Sequence, residues 1–210
     1  MRNRTNQAER GFSLLEMVAV LALAFIVMAF AVINTVGSSQ NAKANSAMDA
    51  VVSQLRQARE LAISKRRNVE VQFIAPNEIQ LTLLTLPGEA VPPTITPVYL
   101  NDNVGGGATF YVFPTLPDTP MGFGNSSSSG INLQNPSGGG AWSVMFTTSG
   151  AFAGTAQSAS TLYEATNNDP VNASIFIGIT GKTNTARAIT VFGATGRVRS
   201  YYWNGSSWQE

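Results

Sequence analysis

Apolar residues form one long run near the N-terminus and then recur at helical spacing. The run covers residues 12–36, and its section 17–33 contains no charged residue. Twenty-five helical residues at about 1.5 Å each would reach about 37 Å, which exceeds a bilayer core of about 30 Å. The later apolar residues alternate steps of four and three, which predicts a helix with one apolar stripe. The stripe consists of Ala44, Met48, Val51, Leu55, Ala58 and Ala62.

After residue 68 the period of the pattern changes from helical to two. Val69, Val71 and Phe73 alternate with Glu70 and Gln72, as in a strand with one buried face. Further strand candidates lie at 79–83, 108–113, 142–147, 174–180, 187–192 and 197–203. The sequence therefore predicts an α+β fold, in which a long N-terminal helix packs on a C-terminal antiparallel sheet domain.

The amino-acid composition excludes most kinds of enzymatic catalysis. The 210 residues contain no His and no Cys, which excludes imidazole bases, thiol nucleophiles and thiolate metal sites. Acid pairs such as Asp102 with Asp118, or Glu164 with Asp169, match no calcium-binding loop. The sequence therefore predicts a protein that is not an enzyme, with no catalytic residue, no cofactor and no metal site.

Basic residues precede the apolar run. Arg2, Arg4 and Arg10 stand against the single acid Glu9, which predicts a cytoplasmic N-terminus with the rest of the chain outside. The apolar run is longer than the centre of a cleaved secretory signal peptide. The pattern favours a single membrane-spanning helix in contact with lipid.

One carboxylate, Glu16, lies at the fifth position of the apolar run. An ionised carboxylate in a membrane helix costs about 2.5 to 3.5 kcal/mol on insertion scales. It is therefore either hydrated among the lipid headgroups or paired with a cation. A cut before Phe12 would create a free amine that could pair with Glu16 of a neighbouring copy or relative. The residues by themselves leave both interpretations open.

The stretch from Arg10 to Glu16, R-G-F-S-L-L-E, resembles the prepilin motif of type IV pilins and type II secretion pseudopilins. The resemblance implies a pilin-like fold and cleavage by a prepilin peptidase between Gly11 and Phe12. It further implies methylation of the new amine on Phe12 and docking into a fibre through Glu16. Implied partners are other pilins or pseudopilins and an assembly platform in the bacterial inner membrane. The globular domain would be periplasmic before the subunit enters a pilus or pseudopilus.

These expectations divide the chain into segments. The leader would be 1–11, the membrane and assembly half of the helix 12–37, its amphipathic half 38–67, and the β-rich domain 68–210 with a mobile Gly/Ser-rich insertion at 122–140. Four later blocks resemble the GspH/FimT group of minor pilins and pseudopilins, and they lie at 55–63, 68–71, 145–150 and 196–199.

The last strand candidate predicts a basic stripe with aromatic rings. Alternate residues of a strand share a face, which would group Arg197, Arg199, Tyr201 and Trp203. Arginines can pair with phosphates while rings stack on bases, as in a non-specific nucleic-acid surface. Lys182 and Arg187 would extend the stripe if their segment neighbours this strand.

Two interpretations of this stripe compete. In relatives, a Gly-Arg-x-Arg element at this place is associated with DNA binding during natural transformation, and Gly196, Arg197 and Arg199 match it. Alternatively, the arginines deter edge pairing and the rings pack as structure. The sequence thus predicts an assembly subunit, with a DNA-binding minor pilin for DNA uptake as the alternative.

Overall fold

The computed structural model describes residues 13–84, 97–100, 107–125, 130–134, 143–155 and 169–210, without the side chains of 30–37. The chain divides into two compact units, Met1–Ser39 and Gln40–Glu210. The predicted leader at 1–11 lies outside the described residues.

The helix α1 comprises the 52 residues Leu14–Lys65. At its start, the carbonyl of Ser13 accepts the N–H groups of Glu16 and Met17 at 3.0 and 3.1 Å. The helix ends before Arg66, whose φ is 53°. There Arg66 N–H donates to the Ile63 carbonyl and Arg67 N–H to the Ala62 carbonyl, which is the Schellman pattern of helix termination.

The described residues form twelve strands in chain order. They are β1 Val69–Ile74, β2 Glu78–Leu83, β3 Val98–Tyr99, β4 Thr109–Phe110, β5 Ile131–Gln134, β6 Ser143–Phe146, β7 Phe152–Thr155, β8 Asp169–Pro170, β9 Asn172–Gly178, β10 Arg187–Phe192, β11 Arg197–Trp203 and β12 Trp208–Gln209. A short 3-10 turn, Thr183–Thr185, precedes β10.

These strands build two antiparallel sheets. The first sheet has the order β3-β2-β1-β6-β7-β8, and the second has the order β12-β11-β10-β9-β4. Strand β5 pairs with β9 as well. The predicted α+β fold, a long N-terminal helix packed on an antiparallel sheet domain, is confirmed.

The predicted helical stripe forms the centre of the main core. Ala44, Val51, Leu55, Ala58 and Ala62 are completely buried, and the partly buried Met48 packs against the same core. Strands of both sheets contribute the facing residues, among them Val69, Val71, Ile79, Leu81, Phe146, Phe152, Ile175, Ile177, Ile189 and Val191. Burying a large apolar side chain stabilises the fold by about 1.5 to 3 kcal/mol, so this stripe holds residues 44–62 of the helix against both sheets.

The second sheet also carries apolar residues on the face away from the helix. Together with residues from outside the strands, they form a second core of Phe113, Leu116, Phe176, Ala186, Ala188, Tyr201 and Trp208. Residues 111–125 cover this face, where the indole N–H of Trp208 donates to the Pro117 carbonyl at 2.8 Å. The Asp118 carboxylate accepts the backbone N–H groups of Thr119 and Gly124 at 2.6 and 2.7 Å, which fixes the covering segment.

Part of the predicted mobile insertion at 122–140 is ordered in the sheet. Ile131–Gln134 forms β5 and pairs with β9, and the side-chain amide of Asn132 donates to the Phe123 carbonyl at 2.6 Å. The prediction is wrong for these residues because composition does not show that β9 offers them an edge for pairing. The insertion residues 126–129 and 135–140 lie outside the described part of the chain.

Candidate functional site

The first candidate site is the beginning of the helix. Gly11 and Phe12, the predicted cleavage and methylation residues, lie outside the described residues. Glu16 is exposed and stands in the first turn of α1, where its charge complements the positive end of the helix dipole. No ion pair to Glu16 forms within the described part of the chain.

The helix around Glu16 exposes apolar side chains on all sides. Their relative exposure ranges from 55% at Ile26 to 82% at Leu14. The exposed residues are Leu14, Leu15, Met17, Val18, Val20, Leu21, Leu23, Phe25, Ile26, Val27 and Met28. Across the residues that the structure describes, no helix has the length and apolarity that crossing a membrane requires.

Three of the sequence blocks that resemble the GspH/FimT group meet at one contact. The Nε of Arg59, on the helix, donates to the carbonyl of Gly150 at 3.2 Å. Gly196 has a φ of +63°, and a Cβ added there would lie 2.1 Å from the Gly150 oxygen and 3.1 Å from Cδ of Arg59. The block at 196–199 therefore needs glycine at its start for close packing, independently of any ligand.

The second candidate site is the outer face of β10 and β11. Phe192 pairs with Arg197 and Thr190 pairs with Arg199 in the register of these strands. Arg197 is exposed. The Arg199 side chain, 30% exposed, forms an ion pair with Glu210 at 3.3 Å. Two guanidinium groups thus lie on the face that carries the second core.

The aromatic members of the predicted stripe belong to the packing of the protein. Tyr201 is 3% exposed within the second core, and the ring of Trp203 contacts that of Trp208 edge to face at 5.4 Å. The Tyr201 hydroxyl contributes most to raising the pKa of the Arg199 guanidinium, and Glu210 contributes next. The same hydroxyl is buried and makes no hydrogen bond of regular geometry. The buried ring of Tyr201 is therefore not available for stacking on a base, while the ring of Trp203 is partly buried.

Arg187 does not join the basic stripe, so that part of the prediction is wrong. It pairs with Tyr202 rather than Tyr201, which turns its side chain to the face of the helix. The side chain is buried, with Nε donating to the Asn45 side-chain oxygen at 2.6 Å and Nη1 to the Ala186 carbonyl at 2.8 Å. Burial lowers the pKa of this guanidinium. Lys182 is exposed beside the 3-10 turn.

A groove on the outer face of β10 and β11 was not apparent from the sequence. Its volume is about 320 Å³, and it is lined by Met121, Thr190, Phe192, Thr195, Arg197 and Arg199. Phe192 is 39% exposed there and its ring lies 6.2 Å from that of Phe123. The alternation of β10 could have indicated Phe192, but only the tertiary structure brings Met121 beside it. Among the described residues, no three His, Cys, Asp or Glu side chains gather as metal ligands would.

Comparisons with known proteins identify the N-terminal region. Residues 6–32 match the family model of the prokaryotic N-terminal methylation motif, and no curated protein sequence matches the chain. The minor pseudopilin EpsH from the Type 2 Secretion System of Vibrio cholerae is similar in structure at 13% identity and a TM-score of 0.41, over 76% of this chain and 97% of that one. The type IV minor pilin FimU of Pseudomonas aeruginosa is similar at 15% identity and a TM-score of 0.39, over 84% and 96%. Structural likeness at this level carries no argument about function.

Residues 6–32 thus form a segment of the kind found at the N-terminus of prepilin-type proteins. The resemblance seen between Arg10 and Glu16 is confirmed over the matched residues. Type IV pilins and type II secretion pseudopilins, which carry a motif of this kind, are structural subunits rather than enzymes.

Proposed function

We propose that this chain is a minor pilin or pseudopilin that is processed at its N-terminus and assembled into, or primes, a type IV pilus or a type II secretion pseudopilus. The observation that carries the proposal is the methylation motif at residues 6–32. A prepilin peptidase would cut between Gly11 and Phe12 and methylate the amine of Phe12. The chain offers no His or Cys for a catalytic centre, in keeping with a structural role.

Membrane insertion precedes assembly in this proposal. The uncharged sequence 17–33 and the arginines before it favour a single-pass orientation with a cytoplasmic N-terminus. The exposed apolar side chains between Leu14 and Met28 would lie against lipid first and against helices of other subunits later. The globular unit would then be periplasmic, next to an assembly platform in the inner membrane.

Glu16 would guide assembly through its charge. Its carboxylate is exposed and has no ion pair within the described chain, while the segment around it is apolar. In such surroundings a cation from a neighbouring subunit is a strongly favoured partner. The processed amine of Phe12 on that neighbour is a cation without a side-chain stem, so it could approach Glu16 closely.

Processing is the first test of this function. Gly11→Leu, coexpressed with a prepilin peptidase, should keep its leader, whereas the unaltered chain should lose residues 1–11 and gain one methyl group on Phe12. Intact-mass spectrometry distinguishes the two products. Normal cleavage of the Gly11→Leu chain would contradict the proposal.

Assembly is the second test. Glu16→Ala should still insert into the inner membrane but should be depleted about tenfold or more from sheared fibres, because it lacks the charge that docks the subunit. Glu60→Ala, which removes an exposed carboxylate elsewhere on the helix, is the matched control and should enter fibres normally. Equal incorporation of the two variants would contradict the proposed role of Glu16 in assembly.

DNA binding is the second candidate function, favoured by the two guanidinium groups of Arg197 and Arg199 on one face. Because Tyr201 is buried and Trp203 packs on Trp208, electrostatic attraction would supply most of the affinity for DNA. Binding of single-stranded DNA should then weaken steeply with salt and disappear in Arg197→Ala/Arg199→Ala. Absence of binding at low salt would reject this function.

A further inference from the structure

Strand β11 has a partly open edge. On one side it pairs with β10 along its whole length. On the other side only Tyr202 and Trp203 pair with β12. Within the described residues, no strand pairs with the outer edge of residues 197–201, a length of about 17 Å at about 3.4 Å per residue.

The direction of the open backbone groups follows from the ladder. The N–H of Trp203 donates to the Ala186 carbonyl at 3.1 Å, on the β10 side. Backbone direction alternates along a strand, so the N–H and C=O groups of Val198 and Ser200 point away from β10. Neither residue makes a backbone hydrogen bond on that side within the described part of the chain.

Positive charge and apolar surface flank this edge. Arg197 is exposed and has no ion pair in the described part of the chain, whereas Arg199 contacts the Glu210 carboxylate. Beside both, the groove of about 320 Å³ has Met121 and Phe192 in its lining. A ligand that follows the edge would therefore meet two guanidinium groups and an apolar recess.

The C-terminal strand β12 already illustrates how such a ligand binds. It adds to the same edge at Tyr202 and Trp203 and is followed by Glu210, whose carboxylate reaches Arg199. A strand from another subunit could pair with the edge of residues 197–201 in the same way, with its own carboxylates replacing or joining Glu210.

We propose that β11 binds an extended acidic segment of another protein subunit by strand addition. The segment forms backbone hydrogen bonds with Val198 and Ser200, places carboxylates at Arg197 and Arg199, and inserts an apolar side chain into the groove. A protein strand fits better than a nucleic acid because the open edge presents carbonyl acceptors as well as N–H donors. A phosphodiester backbone supplies acceptors but no donors for those carbonyls. The inference goes beyond the proposed function and holds whichever fibre the subunit joins.

The test uses the full chain in detergent micelles and a fluorescent seven-residue peptide in which glutamate alternates with valine or threonine. We expect saturable binding that falls about tenfold or more in Arg197→Ala/Arg199→Ala, which removes two charge-assisted contacts. Lys182→Ala removes an exposed cation beside the 3-10 turn and is the matched control, with unchanged binding.

Ser200→Pro separates strand addition from simple charge attraction. Proline removes an N–H that points away from β10, a position that edge strands tolerate, so the fold should persist by circular dichroism while peptide binding is lost. As a readout that needs no variant, amide exchange at Val198 and Ser200 should slow when the peptide binds.

Three outcomes would overturn the proposal. They are no saturation up to about 1 mM peptide, equal binding of a peptide with lysine in place of glutamate, and unchanged binding by a folded Ser200→Pro chain. If the peptide does not bind but single-stranded DNA binds through Arg197 and Arg199, this surface binds nucleic acid rather than a protein strand.

Discussion

The two halves of α1 place apolar residues in opposite surroundings. Leu23 in the N-terminal half is 65% exposed, and the other large apolar side chains from Leu14 to Met28 are also more than half exposed. Leu55 in the C-terminal half is completely buried between two sheets. Both residues are helical leucines, so the helix itself does not decide the difference.

The distribution of apolar residues around the helix explains the contrast. In the N-terminal half they occupy every side, which suits surroundings that are apolar in all directions, such as lipid or a bundle of other helices. In the C-terminal half they form one stripe, with charged residues such as Arg56 and Glu60 exposed. The first half therefore exposes its apolar surface, whereas the second half uses its apolar surface to stabilise the globular unit.

The largest expected effect tests this contrast directly. Leu55→Ala should lower the free energy of unfolding by about 2 to 5 kcal/mol, because it leaves a cavity in the core. Leu23→Ala should change it by less than about 0.5 kcal/mol. Urea titration in detergent, followed by tryptophan fluorescence, measures both variants. Similar losses would mean that the two halves do not differ in this way.

The next effect concerns the contact of the C-terminal half with the turns at Gly150 and Gly196. Gly196→Ala should cost about 3 kcal/mol, because alanine is strained at positive φ and its Cβ would overlap the Gly150 carbonyl. Gly181→Ala is the control, since its φ is +74° and no atom lies within 4 Å of an added Cβ. If both variants lose the same stability, the close approach to Gly150 contributes nothing.

The smallest effect concerns the contact of the helix with Arg187. Arg187→Ala should cost about 2 kcal/mol, because Asn45 and the Ala186 carbonyl lose a buried donor. Lys182→Ala, which removes an exposed cation, should change stability little. Since a guanidinium stays protonated between about pH 5 and pH 9, the loss should be constant over that range. A loss that changes with pH would point to a different cause.

Long periodic segments of this fold could be predicted from the sequence, and short ones could not. The stripe from Ala44 to Ala62 and the strands β1, β2, β10 and β11 repeat their pattern often enough to be recognised. Strands β3, β8 and β12 have two residues each, too few for any period. The predicted strand at 108–113 shortens to Thr109–Phe110, because residues 111–125 leave the sheet to cover it.

The candidate site shows the same limit. Grouping Arg197 with Arg199 required only the alternation within one strand. Placing Arg187 relative to them required the register between β10 and β11, and a shift of one residue reverses the face of every side chain. Sequence alternation correctly grouped Tyr201 with the arginines but could not show that residues 111–125 bury its ring.

Residue identity and local period were enough to establish the methylation motif, the position of Glu16, the apolar residues on all sides of the N-terminal half of the helix, and the lack of His and Cys. Contacts between distant segments were needed to show that Arg187 is buried against Asn45 and that Gly196 packs on Gly150. They were also needed to show that residues 197–201 of β11 have one edge without a strand partner among the described residues. These features depend on pairing between residues far apart in the chain, which local patterns do not encode.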